Sequence, residues 1–324
     1  MALPSTLNTS PALPQVRARQ RRWSRYDTGT FYAFIAPWVI GFLVLTILPM
    51  VVALLISFTS YDGISRWHWV GLQNYVQLFH DPNTWWSTSR TLLYLVFAVP
   101  LSIAGGLGLA LLVNLRVRFV GLFRTLFYLP AVVPVVAGAL TFRLLFDSDT
   151  GPVNALLAFF HVPSIQWLSD PLAIIPLLLL VLWGMGGSMV LSLAGLQGIP
   201  QELKEAAMVD GASAWQSFRT VTLPLLSPVL FFQIVTGVIA ALQVLVQPLL
   251  LTATTMGQDS SGLTQVPRAN YLYMVNVFAQ FFQNERFGYG AALLWVLFAF
   301  VLLLTIAIFR TSALWVYYEV DQEA

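Results

Sequence analysis

Two long intervals of this 324-residue chain contain no charged side chain. No Asp, Glu, Lys or Arg occurs between Asp170 and Glu202, and none occurs between Arg219 and Asp259. A transmembrane α-helix needs about 20 consecutive apolar residues, and both intervals are longer than that. A helix also satisfies every backbone N–H and C=O group internally, which a bilayer requires. The intervals therefore predict an all-α membrane protein.

The composition supports the same fold class. Charged residues make up 9% of the chain and hydrophobic residues 58%, whereas a soluble domain carries roughly a quarter charged residues. Too few polar residues remain to cover a soluble helical core. About six transmembrane helices are predicted, at Phe31–Phe58, Thr91–Asn114, Thr125–Phe146, Pro171–Leu196, Leu225–Thr252 and Gly288–Phe309.

Basic residues predict the orientation of these spans, because short cytoplasmic loops carry an excess of Lys and Arg. With the N-terminus inside, eleven basic residues lie on the inner side and five on the outer side. We therefore expect both termini in the cytoplasm. The chain then divides into a mobile basic segment (1–30), a transmembrane domain (31–310) and a cytoplasmic tail (311–324). The first segment contains a cluster of arginines at positions 17, 19, 21, 22 and 25.

The arginine cluster has a second interpretation as a patch that binds lipid or nucleic acid. The net charge of +2 is too small to indicate a nucleic-acid partner, and topology accounts for the cluster. The chain has no cysteine, so it offers no disulfide or thiol chemistry. His68, His80 and His161 are scattered and lack the spacing of metal ligands, so no metal site is predicted.

Two outer segments have the apolar spacing of amphipathic helices. Leu72, Tyr75, Val76 and Phe79 follow the i, i+3, i+4, i+7 pattern, and this helix is expected to end near Asp81. A second set precedes the last span. We expect both helices to lie at the outer membrane interface, where they cap and anchor the helix bundle or help to dock an external protein. The second set comprises Tyr271, Met274, Val275, Phe278, Phe281 and Phe282.

A polar loop at 197–224 separates the two uncharged intervals, and its sequence predicts two short helices. Pro200 suits the first position of one helix, and Glu202 favours its positive N-terminal end. Gly211 is placed to turn the chain after that helix with a positive φ. Ser213 and Gln216 have the spacing of a capping box for the second helix.

The same loop resembles the EAA signature of importer-type ABC permeases. In that signature Glu-Ala-Ala is followed by three residues, a glycine, nine residues and Ile-x-Leu-Pro. Here Glu205-Ala206-Ala207 and Gly211 match, and Val221 stands where isoleucine is usual. Further segments of the chain resemble the sugar and glycerol-3-phosphate branch of this family. Within that branch the chain resembles the subunit related to the larger maltose permease partner. The further matches are 70–75, 122–130, 167–171 and 193–197.

The resemblance implies a type I ABC importer permease fold in a bacterial or archaeal inner membrane. It implies a complex with a second homologous permease, two identical or different ATPase subunits and an extracytoplasmic solute-binding protein. It also implies that the short loop helix fits a groove on the ATPase and transmits its closure. That role falls on Glu205, Ala206, Ala207, Asp210 and Gly211.

The chain itself is not expected to be an enzyme. A phosphate-binding P-loop needs Gly-x-x-x-x-Gly-Lys-Ser/Thr, whereas Lys204 is the single lysine and follows Leu203. No catalytic residues are predicted. ATP and Mg²⁺ are expected to bind to the partner ATPase subunits, and this chain is expected to hold no cofactor.

Polar side chains within the spans are candidates for the substrate path, because they are costly in lipid and face the bundle interior or a cavity. Trp183 is a candidate for stacking on a sugar ring, and Ser188 lies close behind it on the fourth span. Gln243 and Gln247 are one helical turn apart and suit sugar hydroxyl groups. Each of these residues has an alternative role as a helix–helix contact.

These features predict a permease that imports a di- or oligosaccharide. A secondary transporter or channel is the alternative class, and it predicts acidic residues or histidine in the span centres, which contain none. A permease for glycerol-3-phosphate, amino acids or peptides is the alternative within the family. Relatives often follow the fifth span with Thr-Gly-Gly-Gly-Pro, whereas this chain has a long polar segment from Thr252 to Asn270.

Overall fold

The structure is a computed structural model that describes residues 28–64, 67–115, 118–251 and 266–317. Within these ranges the regular elements are helices, apart from one isolated bridge between Thr59 and Trp69. The predicted all-α class is therefore confirmed. The arginine-rich N-terminal segment, most of the polar segment after the fifth predicted span (252–265) and the tail after Tyr317 lie outside the described residues.

The chain divides into two units, Met1–Val52 and Ala53–Ala324. The first unit contains α1 (Thr28–Phe42), a π-helical turn (Leu43–Ile47) and the start of α2 (Leu48–Ser57). Helical residues Gly29–Ser57 have a mean hydropathy of 3.0. They are long and apolar enough to cross a membrane, as the first predicted span requires.

The second unit holds the remaining helices. In chain order they are α3 (Gln73–His80), α4 (Pro82–Val113), α5 (Val120–Val132), α6 (Val135–Leu145), α7 (Pro152–Phe159), α8 (Ile174–Trp183), α9 (Gly186–Gly198), α10 (Gln201–Val209), α11 (Ala214–Ser217), a π-helical turn (Phe218–Thr222), α12 (Leu223–Leu242), α13 (Val246–Leu251), a 3-10 turn (Arg268–Asn270), α14 (Tyr273–Phe282) and α15 (Phe287–Trp315).

Helix α4 is the centre of this unit and packs against α8, α9, α12 and α14. It begins at Pro82, where a proline needs no backbone N–H, and the Asp81 side chain accepts a hydrogen bond from the Asn83 N–H. Gly106 lets α4 approach α9 closely, because a Cβ at this position would lie 2.9 Å from the Met189 nitrogen. The backbones of the two helices are therefore almost in contact.

Two predicted spans are bent in the structure. The third span consists of α5 and α6, whose axes differ by 95°, and the fourth consists of α8 and α9, which differ by 42°. Val133 is extended, with ψ of 131°, because the following Pro134 disfavours a helical conformation before it. The second bend begins at Gly184, directly after the last residue of α8.

The fifth predicted span ends earlier than the sequence indicated. Helix α12 stops at Leu242, and α13 begins at Val246 and packs against α6. Pro248 explains the break, because a proline inside a continuous helix would clash with the preceding turn and leave a carbonyl unpaired. In the short α13 the same proline lies in the first turn, where its missing N–H costs nothing.

The second amphipathic helix, α14, forms over Tyr273–Phe282 and packs against α4 and α15. Its polar residues Asn276 and Gln280 are buried, whereas Phe282 is exposed. Its polar face makes internal hydrogen bonds instead of facing water, since Gln280 Nε2 donates to Asn276 Oδ1 at 3.2 Å. The first amphipathic helix, α3, forms as predicted and keeps Val76 and Phe79 exposed.

Candidate functional site

A cavity of about 590 Å³ lies among α4, α5, α6, α8, α9, α12 and α13. Every residue that lines it is uncharged. Its wall is apolar apart from a few hydroxyl and amide groups and two large aromatic rings. These polar and aromatic residues are Tyr94, Ser102, Trp183, Ser188, Gln233, Thr236 and Gln247.

Trp183 lies on the cavity wall at the last position of α8. Its ring contacts Phe142 with a centroid distance of 5.6 Å and an interplanar angle of 52°. Gly138 lies beneath it, since a Cβ there would be 3.4 Å from the indole ring. Trp183 retains 37% exposure, so one side of a rigidly supported ring is open to stack on an apolar sugar face.

Ser188 also lines the cavity, but its hydroxyl has a partner within the protein. It donates to Gln233 Oε1, and Gln233 Nε2 donates to Ser192 Oγ at 3.0 Å. The Gln233 side chain is only 5% exposed. This chain of hydrogen bonds joins α9 to α12, which is the helix–helix role that the sequence left open for Ser188.

The two glutamines after α12 have different positions. Gln247 lines the cavity, whereas Gln243 is exposed and does not. The expectation that they share one helix face is wrong, because the helix stops at Leu242 and residues 243–245 are not helical. Their spacing of four residues therefore does not bring their side chains together.

Four further polar or aromatic residues line the cavity besides Trp183, Ser188 and Gln247. Tyr94 and Ser102 belong to α4, and Gln233 and Thr236 belong to α12. The Thr236 hydroxyl donates to the Phe232 carbonyl at 2.8 Å. A tyrosine or serine in an apolar span carries no signal that distinguishes a cavity wall from a helix contact.

The polar loop forms the predicted pair of short helices. Gly211 has a φ of +84°. Its N–H donates to the Met208 carbonyl at 3.1 Å, and the Ala212 N–H donates to the Ala207 carbonyl at 2.9 Å. These two bonds are the Schellman arrangement that closes a helix C-terminus, so α10 ends in a defined turn.

The capping box of the second loop helix is also confirmed. Gln216 N–H donates to Ser213 Oγ at 3.4 Å, and the Ser213 N–H donates to Gln216 Oε1 at 2.8 Å. Pro200 is one residue earlier than expected, since it precedes the first residue of α10. From Ala214 to Leu242 the chain is one helical stretch of 29 residues, which connects the loop directly to cavity residue Gln233.

The loop exposes both its matched residues and a set of apolar side chains. Glu205, Ala206 and Asp210 are exposed, and Ala207 is half-buried. Glu205 Oε1 accepts a hydrogen bond from Gln201 Nε2 at 2.6 Å, which orients the carboxylate on α10. The exposed apolar side chains are Leu203 at 42%, Met208 at 58%, Val209 at 88% and Trp215 at 69%. Such a surface is typical of a site that another protein covers.

The sequence also matches a family model described as "Binding-protein-dependent transport system inner membrane component" over residues 93–322. The chain belongs to this family of inner-membrane transport components. It is therefore a permease of an ABC importer and a non-catalytic membrane subunit, and ATP hydrolysis is performed by separate ATPase subunits. Among the described residues, no group of three or more His, Cys, Asp or Glu is placed to hold a metal ion.

Similar proteins match this chain over most of its length. A probable ABC transporter permease protein, YesP of Bacillus subtilis, is 38% identical over 94% of this chain and 97% of its own length. The lactose transport system permease protein LacF of Rhizobium radiobacter is 32% identical over 87% and 93%. A bacterial ABC transporter involved in import of the acidic polysaccharide alginate has a chain with the same fold. Its TM-score is 0.76 at 21% identity, covering 88% of this chain and 95% of that one.

Proposed function

We propose that this permease forms one half of a translocation pathway for a di- or oligosaccharide. The observation that carries the proposal is the cavity of about 590 Å³, which presents a supported tryptophan face and amide and hydroxyl groups without any charge. Sugars offer the complementary surface, since their ring faces are apolar and their edges carry hydroxyl groups. The lactose permease relative supports the same substrate class.

The chemistry of the cavity wall favours a saccharide over the other substrates considered. Glycerol-3-phosphate and amino acids carry full charges, and a buried charge needs a paired or hydrogen-bonded partner. The cavity wall contributed by this chain has no charged side chain to supply one. A neutral saccharide needs only hydrogen bonds, which Gln247 and Thr236 are placed to make.

The partners follow from the same proposal. The permease pairs with a second, homologous permease that completes the pathway, and with two ATPase subunits that are identical or different. Those subunits bind ATP and Mg²⁺, and an extracytoplasmic solute-binding protein delivers the substrate. The exposed apolar side chains beside Glu205 on α10 provide a surface for ATPase docking, and the helical stretch from Ala214 to Leu242 connects it to the cavity.

Removing the cavity contacts should lower affinity for the sugar. We expect Gln247→Ala to weaken transport about tenfold to hundredfold at limiting sugar, because leaving a buried partner unpaired costs roughly 1–3 kcal/mol. Trp183→Ala should act in the same direction through the lost stacking surface. The measurement is uptake of radiolabelled sugar by proteoliposomes that contain the complete transporter.

Gln243→Ala is the matched control for this prediction, because it removes the same side chain four residues away and outside the cavity lining. It should leave uptake and basal ATP hydrolysis unchanged. Equal effects of Gln243→Ala and Gln247→Ala would contradict the assignment of the cavity as the substrate path.

The proposed orientation places the α10–α11 loop in the cytoplasm and Gln283 at the outer face. Both Ala214 and Gln283 are exposed, and the natural chain has no cysteine. In intact cells, Gln283→Cys should react with a membrane-impermeant thiol reagent, and Ala214→Cys should react only after the cells are opened. The opposite labelling pattern would reverse the orientation and remove the loop from the ATP side.

A further inference from the structure

Two arginines and one tryptophan form a cluster at the end of α4 that the proposed orientation places outside. The Arg90 guanidinium lies 4.5 Å from the centre of the Trp86 ring, and the Arg268 guanidinium lies 5.4 Å from it. The Trp86 indole N–H donates to the Arg268 carbonyl at 3.0 Å, and the Arg268 guanidinium donates to Asn83 Oδ1 at 3.2 Å. These contacts hold two cations at one aromatic ring.

Two described carboxylates near the cluster accept hydrogen bonds from backbone N–H and hydroxyl groups. Asp170 accepts hydrogen bonds from the backbone N–H groups of Arg268, at 2.8 Å, and Ala269, at 2.6 Å. Asp81 accepts hydrogen bonds from the Thr84 hydroxyl at 3.1 Å and the Tyr289 hydroxyl at 2.9 Å. Across the described ranges, neither guanidinium of the cluster forms an ion pair with a carboxylate. Within the part of the chain that the structure describes, the cluster therefore presents two guanidinium groups without a bound carboxylate.

In the proposed orientation the cluster lies outward of the part of α4 that lines the cavity, a position called the rim below. Arg90 precedes Tyr94 by four residues, which is about one turn along the same side of α4, and Tyr94 lines the cavity. Trp86 lies one further turn outward. Arg268 comes from the segment before α14, and Asp170 from the segment before α8, so three outer segments meet here. A protein that delivers a ligand into the cavity must approach this rim.

We propose that Trp86, Arg90 and Arg268 form a docking site for an acidic side chain of the solute-binding protein. The inference rests on the proposed function and orientation. Beyond them, it identifies the permease residues that contact the solute-binding protein and the charge of their partner. A guanidinium pairs with a carboxylate through two parallel hydrogen bonds. Opposite charges at an interface also accelerate association and select the correct partner.

Two other anions fit the position less well. The carboxylate of an acidic saccharide would lose its counter-charge on moving inward, because all cavity-lining residues of this chain are uncharged. A lipid phosphate would require a bilayer-facing site, whereas Arg90 lies one turn from the cavity wall. An acidic residue of the solute-binding protein, in contrast, stays at the rim while the sugar moves inward, so it keeps its contact with the arginines.

The test uses the complete transporter in lipid nanodiscs with a purified solute-binding protein that stimulates ATP hydrolysis by the wild-type complex. In R90E/R268E, the binding-protein concentration that gives half-maximal stimulation should rise about tenfold or more, because charge reversal at a rim weakens association. The dependence of this concentration on salt should disappear, while the maximal rate at saturating binding protein persists. Arg310→Glu is the control, because it reverses a charge near the C-terminal end of α15, which the proposed orientation places on the cytoplasmic side. It should change neither the half-maximal concentration nor its dependence on salt.

Restored affinity of R90E for a binding protein that carries an acidic-to-lysine substitution would support the direct contact. An unchanged half-maximal concentration in R90E/R268E would overturn the proposal. An effect seen only with an acidic sugar, or only in nanodiscs that contain anionic lipid, would overturn it in favour of those anions. If no binding protein stimulates the wild-type complex, the proposed function fails together with this inference.

Discussion

Replacing Gly211 with valine is expected to abolish binding-protein-stimulated ATP hydrolysis while the permease still inserts into the membrane. Gly211 has a φ of +84°, and a β-branched residue in such a conformation costs roughly 1–3 kcal/mol or distorts the turn. Nothing lies within 4 Å of a Cβ added at Gly211. The expected effect therefore comes from the backbone conformation and not from steric overlap with neighbouring atoms. A distorted turn would displace α10 from the helical stretch that begins at Ala214.

Gly198→Val is the matched control for this prediction. Gly198 borders the same loop, has no positive φ, and would also add its Cβ into open space. The measurements are co-purification of the ATPase subunit and sugar-dependent ATP hydrolysis in reconstituted complexes. Both should be lost in Gly211→Val and retained in Gly198→Val.

Glu205→Lys tests the proposed docking surface on α10 independently of the turn at Gly211. The substitution leaves Gly211 intact but reverses an exposed charge on α10, and we expect weaker ATPase association that Glu205→Gln largely avoids. Wild-type association and stimulation in both Gly211→Val and Glu205→Lys would show that this loop is not the coupling element.

Replacing Gly186 with valine is expected to prevent the helices from assembling. A Cβ at Gly186 would overlap the Phe127 carbonyl oxygen and lie 2.9 Å from the Tyr128 Cα. Both are backbone atoms of α5, so no side-chain rotation relieves the overlap. Overpacking a core typically costs 1–3 kcal/mol and more where the backbone must move. We expect little monodisperse protein from this variant in size-exclusion chromatography after detergent extraction.

The neighbouring glycine supplies the control for the packing prediction. Gly187 lies on the same helix, and nothing is within 4 Å of a Cβ added there. Gly187→Val should therefore give wild-type yield and a thermal midpoint within a few degrees of wild type. A monodisperse Gly186→Val protein with the wild-type midpoint would mean that α5 and α9 do not approach as closely as the structure places them.

The features predicted well from sequence depend on residues that are close along the chain. The capping box needs only Ser213 and Gln216, three residues apart, and the Gly211 turn needs only the carbonyls of the preceding helix. The loop was therefore predicted nearly to the residue. The Pro200 position was wrong by one residue, because a proline is compatible with both places at a helix start.

The predictions that were wrong depended on contacts between distant segments. Gln243 and Gln247 were placed on one helix, but the break after Leu242 allows α13 to pack against α6, more than 100 positions earlier in the chain. The amphipathic pattern of α14 also did not reveal that its polar residues pack inside the protein, where Asn276 Nδ2 donates to Thr84 Oγ1 at 3.4 Å.

The sequence by itself determined that this chain is a helical membrane protein with one structured polar loop. Long uncharged intervals leave no other way to satisfy the backbone in a bilayer, and the loop is held by local hydrogen bonds. Only the tertiary structure decided where the spans bend, that Trp183 and Gln247 share a cavity while Gln243 does not, and that Arg90 and Arg268 meet at one ring. Those outcomes depend on which faces of distant helices pack together, and periodicity within a single segment does not contain that information.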